Sequence, residues 1–170
     1  MTHRDSPLAV VTIVSGGQTG ADRAALDFAI EHRLPHDGWC PRGRRAEDGP
    51  LDLRYQLRET ASTNYEVRTR QNVEDSDGTA VFSIAPRPSG GTALTLRFAR
   101  ESQRPLLHLA RNAHPLFGTA DAIRTDAERL CEFLVEHQIR RLNIAGPRGS
   151  QEPTIGTYVW SVLASALASE

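Results

Sequence analysis

Three short stretches of this 170-residue chain set glycine beside hydroxyl, amide or guanidinium side chains: Gly16-Gly17-Gln18-Thr19-Gly20, Ser89-Gly90-Gly91-Thr92 and Gly146-Pro147-Arg148-Gly149-Ser150. Glycine lets backbone N–H groups come close to a ligand, and a helix starting there adds the positive end of its dipole. The chemistry favoured is the holding of an anion, a phosphate above all. All 20 basic residues are arginine. Without lysine there is no Schiff base and no P-loop lysine, so phosphate must be held by backbone, hydroxyls and the planar fork of arginine. Arg148 is the candidate charge clamp.

Other residues carry two readings each. Asp22, in the first turn of the first helix, suits the positive end of a helix dipole; it also suits hydrogen bonding to a base, pterin or sugar. Asp75 and Asp77 form a carboxylate pair that could hold Mg²⁺ or do acid–base work, although Asp-Ser and Asp-Gly are also turn residues and that reading is the stronger. Asp77 stays in the candidate binding set. Cys40 has arginines nearby that would favour its thiolate, but a small buried residue is the favoured reading. Arg42, Arg44 and Arg45 either rim a pocket or lie in solvent. Cys131 is expected to be structural, and the six histidines form no legible dyad with serine or cysteine. Two cysteines are too few for a disulfide scaffold, and no metal-ligand spacing appears, so no metal site is expected.

The elements that must position these residues follow from hydrophobic patterning. Val10–Val14, Thr79–Ala85, Pro105–Leu109 and Arg141–Ala145 read as strands, with a very short one at Gly38–Pro41. Helices are expected at Ala24–Ile30, Thr92–Ser102, Asp121–Glu136 and Pro153–Ala168, with modest helical character over 51–60. Ile123, Ala127, Leu130 and Leu134 share one face of the third of these. The polar segment 62–79 is long for a connector, which marks it for function or interaction; a short strand near Tyr65–Arg68 is its expected structure. Strands alternating with helices imply a doubly wound, Rossmann-like α/β fold with a mostly parallel sheet and helices on both faces. All three glycine loops then meet at the carboxyl edge of the sheet.

Composition sets outer bounds. At 39% hydrophobic and 24% charged, with net charge −1, the chain reads as one soluble domain over 1–170, residues 1–8 being a flexible lead-in. That charge gives no pull toward nucleic acid or an anionic membrane. The polar start and the lack of an 18-residue apolar run lead to a cytoplasmic expectation.

Taken in order, Gly16 to Asp22, Gly38-Trp39-Cys40-Pro41 with Ala46-Glu47-Asp48-Gly49, Asn72-Val73 with Asp75 to Thr79, Ser89 to Thr92 and Ala145 to Arg148 resemble the molybdenum cofactor carrier family. The resemblance spans roughly 12–163, within a Rossmann-like superfamily of lysine-decarboxylase-like nucleotide hydrolases and nucleotide-sensing domains. It implies a homo-oligomer, dimer or tetramer, that binds molybdopterin with its terminal phosphate and serves molybdoenzymes or cofactor-insertion proteins. Gly16 to Gly20, Asp22, Asp77, Ser89 to Thr92, Gly146, Pro147, Arg148 and Ser150 would then hold the cofactor. The related hydrolases carry P-G-G-x-G-T-x-x-E; here Pro88 to Thr95 is followed by no glutamate before Glu101. That departure favours carriage over N-glycoside hydrolysis, with a nucleotide-binding or nucleotide-hydrolysing enzyme as the alternative. A bulky residue at Gly17 or Gly91 is expected to block binding and leave the fold intact.

Overall fold

The computed structural model describes residues 10–113 and 118–168; the expected lead-in over 1–8 lies outside them. From the amino end the elements are β1 (Thr12–Val14), α1 (Ala21–Glu31), β2 (His36–Asp37), β3 (Trp39–Cys40), β4 (Arg45–Ala46), β5 (Gly49–Pro50) and β6 (Arg58–Glu59). Then come α2 (Tyr65–Glu74), β7 (Gly78–Ser83), α3 (Gly90–Glu101), β8 (Leu106–Ala110), α4 (Thr119–Glu136), β9 (Arg141–Ala145) and α5 (Ile155–Leu167).

Five strands form one parallel sheet in the order β2-β1-β9-β7-β8. The late strand β9 is central. Its Leu142 lies level with Ile13 of β1 and with Gly78 of β7. Successive strand residues point to opposite faces, and Val81 and Phe82 of β7 are both fully buried, so both faces of the sheet are covered. On the Phe82 face α1, α4 and α5 pack together, with Tyr158 set edge-on to Phe82 at 5.6 Å between ring centroids. Val73 of α2 and Phe98 and Ala99 of α3 form a separate cluster. Parallel strands joined through helices explain why all six residues of β7 are buried. The doubly wound α/β expectation holds.

Two local readings are corrected. Tyr65–Arg68 is the first turn of α2 and not a strand: the Asn64 side chain caps the helix by accepting the Glu66 N–H at 2.9 Å. Residues 51–57 are not helical. The Arg44 guanidinium gathers them by donating to the carbonyls of Leu51, Asp52, Tyr55 and Leu57 at 2.8–3.3 Å. This excursion packs over a second small core of Leu26, Cys40, Leu51, Tyr55 and Leu57.

Leu130 of α4 is fully buried in the main core. Leu130→Ala should lower the unfolding free energy by about 3 kcal/mol in urea denaturation; a loss below about 1 kcal/mol would contradict the packing of α4 on the sheet.

Candidate functional site

Because β9 lies between β1 and β7, the loops that leave the carboxyl ends of these three strands are neighbours. They open onto a cleft of about 610 Å³. Of the residues expected at the site, Gln18, Asp22, Gly90, Gly91, Thr92, Gly146, Pro147 and Arg148 line it. Ser89 is the N-cap of α3 and makes no side-chain cap, so the first-turn N–H groups of α3 keep their donor capacity. Thr92 lies within the first turn of α3 and is buried. A Cβ at Gly90 or Gly91 would meet nothing within 4 Å, so the backbone here is open to a ligand.

Gln18 is only 6% exposed, and its orientation is fixed: Oε1 accepts the N–H groups of Thr19 at 3.1 Å and Glu47 at 2.9 Å. Its Nε2 then has no partner. Among the described residues three buried side-chain polar atoms are unpaired, and two of them, Gln18 Nε2 and Arg68 Nε, belong to residues lining the cleft. Unsatisfied buried donors cost stability, so two at one cleft mark a place where a ligand's acceptors fit.

Arg68 enters from α2, which also contributes Tyr65, Glu66 and Thr69 to the lining. Its Nη1 bonds Asp22 Oδ2 at 2.9 Å, with the two side chains 12% and 3% exposed. Burial pushes the Asp22 carboxyl up, against the pull of Arg68. Arg68 thus holds Oδ2 of Asp22, which also accepts the Gln18 N–H at 3.4 Å. Arg68 also lies over Gly16, where a Cβ would sit 1.7 Å from Nη1. Sequence reasoning marked the 62–79 segment but missed these α2 residues, along with Arg97 and Gln151. The Asn64 cap was the available signal.

The remaining expected residues sort by position. Thr19 and Ser150 flank the cleft and converge on Glu47, which the sequence reading had not singled out. Gly17 has φ +77°, and a Cβ there would lie 2.8 Å from a Leu51 methyl. A bulky residue at Gly17 would thus strain the fold itself, which corrects the expectation of a clean binding defect. Asp77 is not at the cleft. It precedes β7, at the amino edge of the sheet, where Oδ2 accepts the backbone N–H groups of Arg140 at 2.9 Å and Arg141 at 2.8 Å. Asp75 is engaged there too, accepting from Trp39 Nε1 at 2.6 Å. Cys40 is fully buried and its thiol is pushed up by burial, so the thiolate reading fails.

One serine–histidine contact was unforeseen. Ser83 Oγ lies 2.7 Å from His108 Nε2 and 2.6 Å from the Ala85 carbonyl. Two oxygens approach that closely only when the hydroxyl proton lies between them, so His108 donates to Ser83 through Nε2–H. Burial, with Arg129 and Arg100 nearby, holds His108 below its ordinary pKa. A histidine donating to the serine cannot act as its base.

Among the described residues, no group of three His, Cys, Asp or Glu side chains is disposed to hold a metal ion, and no helix is long and apolar enough to cross a membrane. Residues 13–167 match the circularly permutated YpsA SLOG family. A crystal structure from Syntrophus aciditrophicus SB, of a protein named "putative molybdenum carrier protein", is similar to the chain at 44% identity and a TM-score of 0.86, over 94% of this chain and 96% of that one. No curated protein matches.

Removing Arg68 leaves Asp22 with burial and little to oppose it, so its folded-state pKa rises further above the unfolded value. The proton-bound form then stabilises the fold at acid pH, and that contribution is lost as pH rises through the raised pKa. Arg68→Ala should cost about 3 kcal/mol near neutrality. The loss should be larger at about pH 8 than at about pH 5 in urea denaturation; an equal loss at both would contradict the buried pairing.

Proposed function

Because the chain belongs to the circularly permutated YpsA SLOG family, part of a Rossmann-like nucleotide-sensing superfamily, we propose that its cleft binds and carries molybdenum cofactor by the phosphate of the pterin. The observation that carries this reading is the convergence at one cleft of the uncapped α3 N-terminus, Gln18, whose buried Nε2 is unpartnered, and Arg148. All three supply donors, as a phosphate requires. Tyr65, whose ring centroid lies 5.8 Å from the Arg148 guanidinium carbon, offers an aromatic face for a flat heterocycle. The name of the Syntrophus protein, a molybdenum carrier, supports a molybdenum-related carrier role in general.

Carriage fits the chemistry better than turnover. Of the carboxylates that the sequence offered as bases, Asp22 is paired with Arg68 at the cleft, and Asp77 accepts the Arg140 and Arg141 backbone N–H groups away from it. The superfamily's link to nucleotides makes a nucleotide the competing ligand.

Oxygen-free titration with molybdenum cofactor, with AMP and ATP as competitors, tests this. Saturable cofactor binding is expected, weakened about tenfold or more in Arg148→Ala. Gly91→Leu, which projects a side chain into open space, should abolish it with thermal stability retained. Cofactor binding unchanged in both variants, or tight nucleotide binding with none of the cofactor, would overturn the reading.

A further inference from the structure

The antiparallel strands β4 and β5 are joined by a two-residue tip, Glu47-Asp48, and the two carboxylates have different work. Asp48 is the pin. Arg23 Nη1 and Nη2 donate to its two oxygens at 3.0 Å each, while Arg23 Nε holds the Gly17 carbonyl at 3.1 Å. Glu47 reaches the other way, between the loop after β1 and the loop after β9. Its Oε1 accepts from the Thr19 hydroxyl and from the Ser150 N–H at 3.2 Å. Its Oε2 accepts from the Ser150 hydroxyl at 2.6 Å, with Arg148 Nη1 at 3.7 Å. Two hydroxyls, one backbone N–H and a guanidinium around one pair of oxygens form an oxyanion site, and a side chain of the protein fills it. The bonds from Ser150 and Thr19 hold the Glu47 carboxyl below the usual carboxylate range.

We propose that Glu47 is a resident carboxylate in an oxyanion subsite, displaced when the phosphate-like group of a ligand enters. The proposal rests on the cleft being an anion-binding site. Three features favour displacement over a fixed structural role. The Asp48–Arg23 pair and the Glu47 N–H on Gln18 hold the hairpin tip without the Glu47 carboxylate, so that side chain can swing out with its backbone in place. Arg148 is shared, lining the cleft and facing Glu47 at once. Gln18 joins the two places, since its Oε1 accepts the Glu47 N–H and the residue itself lines the cleft. A tetrahedral oxyanion offers the same donors more oxygens and more charge than a carboxylate does. Glu47 thereby sets the threshold a ligand must exceed: inorganic phosphate displaces it only at high concentration, and a ligand with further contacts in the cleft does so at lower concentration.

The test is calorimetric titration of the whole protein with inorganic phosphate. Glu47→Gln and Glu47→Ala should bind phosphate about tenfold more tightly than the native protein, and adding Ser150→Ala should erase the gain. In the native protein, phosphate should move the Glu47 carboxyl ¹³C signal toward that of a solvated glutamate. Glu47 variants that bind phosphate no better than the native protein, or a Glu47 signal that phosphate leaves in place, would overturn the proposal. That ¹³C measurement decides the matter even for a variant that does not fold. Cofactor carriage fails separately: improved phosphate binding in Glu47→Gln stands even if molybdenum cofactor never binds.

Discussion

The loop after β1 and the loop after β9 meet backbone to backbone, and the rest of the site depends on that contact. The Ala21 N–H donates to the Pro147 carbonyl at 3.2 Å. Gly20, with φ +82°, lies so close that a Cβ there would sit 2.5 Å from the Pro147 oxygen and 2.6 Å from the Gly149 nitrogen. Any side chain would force the loops apart. With them in contact, Thr19 reaches the Gly149 N–H, Ser150 and Arg148 stand beside Gln18, and the first-turn donors of α3 complete the wall. At Gly20 the glycine turn is a packing device.

The fourth wall is held by polar bonds. Helix α2 has few apolar residues, and of its ten only Asn72 and Val73 are buried. Asn72 exchanges two hydrogen bonds with the backbone of Trp39, at 2.7 and 2.9 Å. Arg70 lies over the Phe98 ring at 4.1 Å, and Arg68 crosses to Asp22. Such contacts position a helix well but add little net stability, because each replaces bonds to water. The cleft therefore combines a rigid floor, built on sheet and glycine, with a side wall whose attachment is electrostatic.

These two parts differed in how legible they were. The central strands, α4 and α5 carry apolar periodicity, so their places followed from pattern, and the three glycine loops followed from the strands. Helix α2 lacks that periodicity. Its polar faces meet charged groups and backbone, interactions that sequence spacing does not encode, and so Arg68 was missed although the segment was flagged. Asp77 shows the opposite failure. Its residue type suited a site, but in a parallel sheet a residue just before a strand lies at the amino edge, away from the loops that follow strands. Glu47 was legible only within the Ala46-Glu47-Asp48-Gly49 stretch of the resemblance, with no role of its own, because its partners lie 28 and 103 residues away.

The central place of β9 also governs when the protein can assemble. β1 pairs with β9 through Thr12 and Arg141, and β7 pairs with it through Gly78 and Leu142. During synthesis the first hundred residues thus hold two strand edges that wait for a strand made last. Pairings of such long sequence separation form slowly, and edges left open in the interval invite association with other chains. When β9 does insert, it closes both edges and brings Arg148 and Ser150 to the cleft in the same event. The cleft is therefore complete only with the finished sheet.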